Sequence, residues 1–555
     1  MKVYTLLNSI YSSDRNLIGY DVVDSTGMVY TLPVEQVIEL ARHGQIQDVI
    51  IKDKRYKMAL EGINGNDLRK LHRRTFEKKD NYKMFCVSGK SAISYAVKAT
   101  KDFANARELI RELNRYMNDT SSRKVCCIYG LRRTGKTVLM LQSLLSLHRE
   151  DVAFINVSAR DSISDVLEKV KQLVQNGIEN IYIDEITNAV GFLDGAAILA
   201  DGYAAAGVHI VISGTDSCML DIASKSALYD RMFKINTSYI PYKEYVNLFG
   251  NISILEYIRL GGVLLPNTFY DENSTYNYIQ TAIVDNIIRS LNKTNGSRYQ
   301  ELKSLNDAGL LRKAIELAIR NTNSKLSAYM LTSTYKDGLG SAKEILGKHF
   351  HLKSDLDNEE VYQIVRKKLG VDIEHDGIST DILDELTDFL EEIGVLVSYK
   401  RYGRKVDKVY LFVQPGLRYR QTLVLVNSLF EASTFRNMKA KEREMLYNKI
   451  VEDTEGQILE QVILVDNILR KKADVSQVRT NSGEIDMILK DSSGLHLYEI
   501  KRSNKVVDKQ YRHLINNSLD GVQDRIVLYT GAPQRIIAID GKVIQYQNIG
   551  QYLLK

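Results

Sequence analysis

"IYGLRRTGKTVLM", residues 128–140, decides the first question about this chain. Gly130, Gly135, Lys136 and Thr137 satisfy the spacing G-x-x-x-x-G-K-[ST], with the apolar run "KVCCIY" before them and the helical pattern "TVLMLQSLLSLH" after. A strand, a glycine-bearing loop and a helix in that order make a phosphate cradle. The glycines let backbone N–H groups curl around phosphate, and the helix N-terminus adds positive potential. Lys136 neutralises β/γ oxygens, and the Thr137 hydroxyl ligates Mg²⁺. Gly130, Leu131, Arg132, Arg133, Thr134, Gly135, Lys136 and Thr137 are therefore expected to hold ATP with Mg²⁺.

Working outward, "VAFINV", "SISDVLEKVKQLVQ", "NIYIDE" and "VHIVISG" alternate strand and helix, the order of a parallel sheet. Asp184 and Glu185 end an apolar strand. The first can hold the Mg²⁺ shell and the second can orient the attacking water. The next strand ends in "ISGTDS", whose Ser213, Thr215 and Asp216 are expected near the γ-phosphate. Arg231 is expected to reach phosphates in its own or a neighbouring subunit.

"GLRRTGKT", "IYIDEI", "ISGTDS", "DRMFKI", "YIPYKEY" and "EYIRLGGVLLP" together resemble the prokaryotic AAA-type ATPases related to the archaeal ATPases and the STAND switches. The resemblance spans roughly residues 100 to 270 and implies an ATPase built on a P-loop sheet.

The chain is much longer than one domain: 555 residues at roughly 100–200 per domain predict three or four units. A hydrophobic content of 44% with 26% charged residues is a globular balance, and five prolines argue against long disordered linkers. The opening residues are too polar for a signal peptide, and no apolar run approaches the roughly 18 residues of a membrane span. Four cysteines without metal-ligand spacing read as reduced thiols. A cytoplasmic protein with no membrane partner is expected. A net charge of +6 on so large a chain is compatible with nucleic acid but does not demand it.

The expected organisation is a small α/β domain over 1–75, a helical linker over 76–120, the ATPase core over 121–250 and a helical lid over 251–350. A winged-helix-like domain follows over 351–440. Its hairpin collects Lys400, Arg401, Arg404, Lys405 and Lys408 around Tyr399 and Tyr402, a pattern suited to a phosphate backbone or to a docking partner.

The last unit, 441–555, carries Glu460 on an amphipathic helix, Asp486 in "GEIDMILKD", and Glu499 with Lys501 in "LHLYEIKRS". Side chains alternate along a strand, so Glu499 and Lys501 share a face. Charged residues inside such apolar strands are costly to bury unless they pair or bind metal. The ordered set resembles the PD-(D/E)xK nuclease fold. The resemblance implies that Asp486 and Glu499 ligate Mg²⁺, that Lys501 activates water and that Glu460 faces the same metal. The fold class expected is thus α/β: a P-loop parallel sheet with helical lid and winged helix, a small N-terminal α/β domain, and a C-terminal PD-(D/E)xK nuclease-like domain. The function expected is an ATP-regulated DNA endonuclease, in genome defence or on a mobile element, with DNA and further copies of itself as partners. The alternative is a signalling or DNA-binding ATPase switch whose last domain only recognises a partner.

Overall fold

A computed structural model of the chain describes residues 4–11, 17–24, 29–33, 36–37, 39–40, 46–51, 54–57, 84–103, 105–216, 219–220, 223–224, 226–293, 300–319, 331–332, 346–347, 350–353, 355–368, 378–402, 408–431, 436, 439–480, 483–505, 512–532, 535–539 and 541–555. Met1–Phe85 form one unit and Cys86–Lys555 a second, and each is described by itself. In the first unit, β1 (Tyr4–Tyr11), β2 (Leu17–Asp24), β3 (Val29–Pro33), β4 (Ile46–Ile51) and β5 (Lys54–Lys57) form a sheet of order β3-β2-β1-β4-β5. β1 runs antiparallel to β2 and parallel to β4.

The second unit is organised around strands that are apolar on both faces, which only a sheet covered on both sides can satisfy. β6 (Phe85–Ser88), β7 (Val125–Tyr129), β8 (Val152–Asn156), β9 (Asn180–Asp184), β10 (His209–Gly214) and β11 (Met232–Asn236) form one sheet of order β11-β7-β10-β9-β8-β6. Neighbouring strands from β7 to β11 pair in parallel. The order has a functional consequence. β10 lies between the loop strand β7 and the acidic strand β9, so whatever follows Gly214 sits between loop and acids. The helix Ile163–Gln175 starts on a capping box between Ser162 and Asp165, as its sequence demands.

The stretch 76–120, expected as a helical linker, does not merely connect. β6 lies at the edge of the sheet, and the helices Gly89–Ala99 and Ile110–Met117 bury Ala92, Ala96, Leu113, Tyr116 and Met117 in the same core as Cys126 and Ile128. Cys126 and Cys127 are buried without a disulfide, and Cys218 lies outside the described residues.

A helical layer follows. Its core joins Ile283, Val284, Ile287 and Leu291 to Leu386 and Phe389, and also takes in Leu131 of the loop. The helix Thr380–Glu392 leads into the antiparallel hairpin β12 (Leu396–Lys400) and β13 (Lys408–Phe412). Arg404 and Lys405 of its tip lie outside the described residues. Tyr399 is buried and its hydroxyl bonds the Gln477 side chain, while the Tyr402 N–H donates to Gln477 O at 2.8 Å. The first aromatic therefore packs the hairpin onto the C-terminal strands and does not form part of an open surface. Lys408 is paired with Asp388 and Glu391, each at 3.4 Å.

The 30-residue helix Ala440–Leu469 lies against one face of a mixed sheet. β14 (Asp474–Thr480), β15 (Gly483–Asp491), β16 (Gly494–Lys501), β17 (Val522–Tyr529), β18 (Arg535–Ile539) and β19 (Lys542–Asn548) take the order β14-β15-β16-β17-β19-β18. Period-2 alternation separates the two faces. Met487, Tyr498, Ile500, Ile526 and Leu528 meet Ile458, Leu459 and Val462 of the long helix. Ile488, Leu497 and Val527 pack with Leu514 on the other side. Among the described residues no helix is long and apolar enough to cross a membrane.

Candidate functional site

The loop adopts the backbone its glycines permit. Gly130 (φ 143), Arg133 (φ 64) and Gly135 (φ 79) are left-handed or nearly so. A Cβ on Gly135 would run into Leu264, and one on Gly130 would crowd Thr237 and Ser238. Lys136 is buried at the start of the helix Lys136–Ser146, its Nζ donating to Gly130 O at 2.8 Å and Leu131 O at 2.9 Å. Burial pushes its pKa down to about 8 against the pull of Glu185 and Asp184. A triphosphate would replace two neutral carbonyls with full negative charge. Arg132 is half-buried and Arg133 exposed, the latter donating to Thr268 Oγ1 at 3.1 Å.

Around Lys136 the structure gathers the acidic and polar residues. Thr137 Oγ1 donates to Asp184 Oδ2 at 2.7 Å, and Ser213 Oγ donates to Asp184 Oδ1. Burial, then the neighbouring Glu185 charge, raises the Asp184 pKa. Glu185 sits at φ 56, an uncommon conformation for a non-glycine residue. Its Oε2 accepts from Thr215 N at 3.3 Å and Thr215 Oγ1 at 3.0 Å. A hydroxyl and a buried carboxylate at a helix N-terminus fit Mg²⁺, a hard cation that takes oxygen ligands.

Arg231 is the exception. It immediately precedes β11, whose Met232 pairs with Val125 at the start of β7, whereas the loop leaves the end of β7. Parallel strands put those two points at opposite edges of the sheet, about 16 Å apart for five residues at roughly 3.3 Å each. Arg231 pairs there with Asp201 at 2.7 Å, so it does not reach the phosphates of its own subunit.

Two residues that the sequence did not single out reach the site. Arg107 is fully buried: its guanidinium donates to Thr134 O and pairs with the equally buried Glu244, and its N–H donates to Gln142 Oε1 at 3.1 Å. Asn156 Nδ2 lies 3.5 Å from Asp184 Oδ2. The loop is also held from the helical side, with Leu264 N donating to Arg133 O at 2.8 Å and Tyr278 OH to Arg132 O at 3.2 Å.

A second cluster lies in the last domain. The β15–β16 ladder ends at Met487–Tyr498, and past it the Ile500 N–H donates to Asp486 Oδ2 at 2.7 Å. Lys501 Nζ bonds Glu499 Oε1 and lies 3.8 Å from Asp486 Oδ2. Glu460, half-buried on the long helix, feels the charges of Lys501, Glu499 and Glu484. Burial raises its pKa to about 8, and burial with the Glu499 charge holds the Asp486 pKa well above the carboxylate range. His513, which carries no sequence signal, joins them: its Nε2 lies 2.6 Å from Glu499 Oε2. Among the described residues no group of three or more His, Cys, Asp or Glu is arranged to hold a metal ion. Asp486 and Glu499 alone offer a carboxylate pair, which suffices for a Mg²⁺ that keeps several waters.

The sheet order, the loop and the acidic strand end define an AAA-type P-loop ATPase domain. Residues 122–246 match the family model described as an AAA domain. The chain is also 20% identical over 438 residues to the uncharacterized protein MJ1544 of Methanocaldococcus jannaschii, covering 76% of this chain and 85% of that protein. Among solved structures, the S. cerevisiae Hsp104–ADP complex is similar with a TM-score of 0.24 at 12% identity, covering 76% of this chain and 63% of that one. AMPPCP-bound DnaA from Aquifex aeolicus gives a TM-score of 0.19 at 14% identity, over 52% and 92% of the two chains.

Glu185→Gln keeps a hydrogen-bonding group but removes the charge expected to orient water. The variant is expected to bind ATP as the wild type does and to hydrolyse it at least about 100-fold more slowly. Calorimetry beside phosphate release checks this, and equal loss of binding and turnover would make Glu185 a structural residue.

Proposed function

We propose that the chain binds and hydrolyses ATP and thereby regulates a C-terminal, Mg²⁺-dependent DNA endonuclease domain. The observation that carries the reading is the gathering of Asp486, Glu499 and Lys501 where β15 and β16 part, with Glu460 of the long helix within electrostatic reach of Lys501 and Glu499. Asp486 and Glu499 would hold the metal, which when bound supplies stabilisation of charge developing on a phosphodiester. Lys501 holds its proton between the two carboxylates and orients a water for attack. At the nucleotide site, Lys136 and the loop N–H groups hold the phosphates, and Glu185 takes a proton from the attacking water. Plasmid and linear DNA incubated with Mg²⁺, with and without ATP, test the reading: no cleavage under any nucleotide condition sinks it.

The regulatory link rests on an ionic bridge in which a buried carboxylate meets two partly exposed arginines. Glu455, on the long helix, accepts from Arg259 Nε at 2.9 Å and Nη2 at 2.6 Å through Oε1, and from Arg502 Nη1 at 3.0 Å through Oε2. Arg502 directly follows Lys501, and Arg259 precedes by five residues the Leu264 whose N–H holds the loop. Coupling between two sites is reciprocal, so nucleotide must change Mg²⁺ affinity at the second site by the factor that Mg²⁺ changes nucleotide affinity. Glu455→Gln is expected to abolish this factor while leaving ATP turnover within about twofold, since the hydrogen bonds of Glu455 go to Arg259 and Arg502 and not to the loop or Glu185. Melting curves in Mg²⁺ with and without a non-hydrolysable ATP analogue read it.

One observation favours the second reading, an ATPase switch with a recognition platform. Lys501 and His513 occupy the two oxygens of Glu499, so the carboxylate is already paired within the chain.

A further inference from the structure

We infer that Asn286 and Ser290, on the helix Asp285–Lys293, are positioning residues for Glu185 in ATP hydrolysis. They hold the turn that holds its carboxylate. The Asn286 side-chain amide donates to Thr215 O at 2.7 Å, while the N–H and hydroxyl of the same threonine donate to Glu185 Oε2. One residue later, Asp216 Oδ1 accepts from Ser290 Oγ and from Met219 N at 3.0 Å. Asn286, Ser290 and Asp216 are buried, so these bonds form without competing water. Both bonds to Glu185 fall on Oε2. Among the described residues no hydrogen bond reaches Oε1, the oxygen that can accept from water.

Neither Asn286 nor Ser290 is part of the loop, the acidic strand or the turn after β10. Their helix belongs to the helical layer whose core includes Ile283, Val284, Ile287, Leu291 and Leu131 of the loop. A displacement of that layer relative to the sheet would carry Thr215, and with it Glu185, toward or away from the γ-phosphate. Glu185 keeps its uncommon backbone conformation only while its surroundings over-determine it. The helical layer thus sets the hydrolysis rate through the turn, without touching nucleotide.

The inference rests on the reading of Glu185 as the group that orients water, and the test separates the two. ATP affinity, kcat and KM are measured for Asn286→Ala, Asn286→Gln, Ser290→Ala, Glu185→Gln and the double variant Asn286→Ala/Glu185→Gln. Asn286→Ala is expected to lower kcat by about 10–100-fold, the effect of a misplaced catalytic group, with KM changed by less than about threefold. Asn286→Gln, which keeps the amide donor, should recover part of the loss. The double variant should be no slower than Glu185→Gln alone, because Asn286 acts through Glu185. Should Asn286→Ala destabilise the fold, Ser290→Ala, which deletes one hydroxyl, must show the same kcat-specific loss. Wild-type kcat in both variants, a loss confined to KM, or additive losses in the double variant overturns the inference. If Glu185→Gln itself hydrolyses ATP at the wild-type rate, the reading of Glu185 falls and takes this inference with it.

Discussion

Lys136→Ala is expected to abolish ATP turnover and to weaken nucleotide binding by about 10–150-fold, the equivalent of roughly 1.5–3 kcal/mol for a hydrogen bond to a charged group. The loop's N–H groups remain in the variant, so binding is weakened and not erased, whereas hydrolysis also loses the charge that meets the transferring phosphoryl group. The stability of the nucleotide-free protein should move the other way. Burial has pushed the Lys136 pKa to about 8, below the roughly 10.4 of the unfolded chain, so its charged form is a cost in the empty site. Between those two values the unfolded state binds more protons, and the contribution of this lysine to stability rises with pH. Below about pH 8 the full cost is present. There the empty alanine variant should melt no lower than the wild type, while the wild type gains more stability than the variant at the same ATP concentration. Calorimetric affinity, phosphate release and paired melting curves measure the three effects. Turnover by Lys136→Ala at the wild-type rate would remove the loop from the catalytic account.

What is legible in the sequence and what is not divide along a physical line. The loop from Gly130 to Thr137 is local: its spacing is set by one strand-to-helix turn, and the residues proposed to bind phosphate are the residues that fold it. Asp184 and Glu185 are legible because two acids at the end of an apolar strand are costly to bury together without a cation to face. Arg231 lies away from the phosphates of its own subunit because its place depends on strand direction, and the expectation for a neighbouring subunit is untouched by that. Being close in sequence to the site says nothing about which end of β11 a residue occupies. Arg107 and Asn156 are invisible for a related reason. A buried arginine that donates to a loop carbonyl looks, in sequence, like any arginine of an amphipathic helix, and only the docking of residues 85–117 against the sheet distinguishes it.

The last domain shows the same division. Period-2 alternation is enough to place Glu499 and Lys501 on one face, and an antiparallel hairpin is enough to bring Asp486 beside them. His513 requires the return of a short helix, Arg512–Ile515, across the sheet, which no local pattern encodes. Tyr399 reads as part of an open basic hairpin only while the hairpin is imagined alone; packed against β14, it joins the hairpin to the C-terminal sheet.

Asp486→Ala and Lys501→Ala are each expected to reduce Mg²⁺-dependent DNA cleavage by at least about 100-fold while leaving ATP turnover unchanged. On the proposed reading, one substitution deletes a metal ligand and the other the cation that holds water and pairs with Glu499. Neither residue contacts the loop, and the ionic path toward it, through Arg502, Glu455 and Arg259, is left intact. Stability discriminates between the working site and the recognition platform. Asp486 shares its cluster with Glu460 and Glu499, and like charges in a buried site raise one another's pKa at the expense of the folded state. Without metal, Asp486→Ala is therefore expected to be neutral or slightly stabilising. Lys501→Ala leaves the carboxylates without their cation and should lower the melting temperature. With Mg²⁺ at about 100-fold over its dissociation constant, the wild type should gain about 2.7 kcal/mol, and Asp486→Ala should gain nothing. A platform that merely recognises a partner predicts the opposite pattern: no Mg²⁺-induced rise in the wild type and no cleavage with or without ATP. In that outcome Lys501 is a permanent counter-ion to Glu499, and the ATPase domain drives binding in place of chemistry.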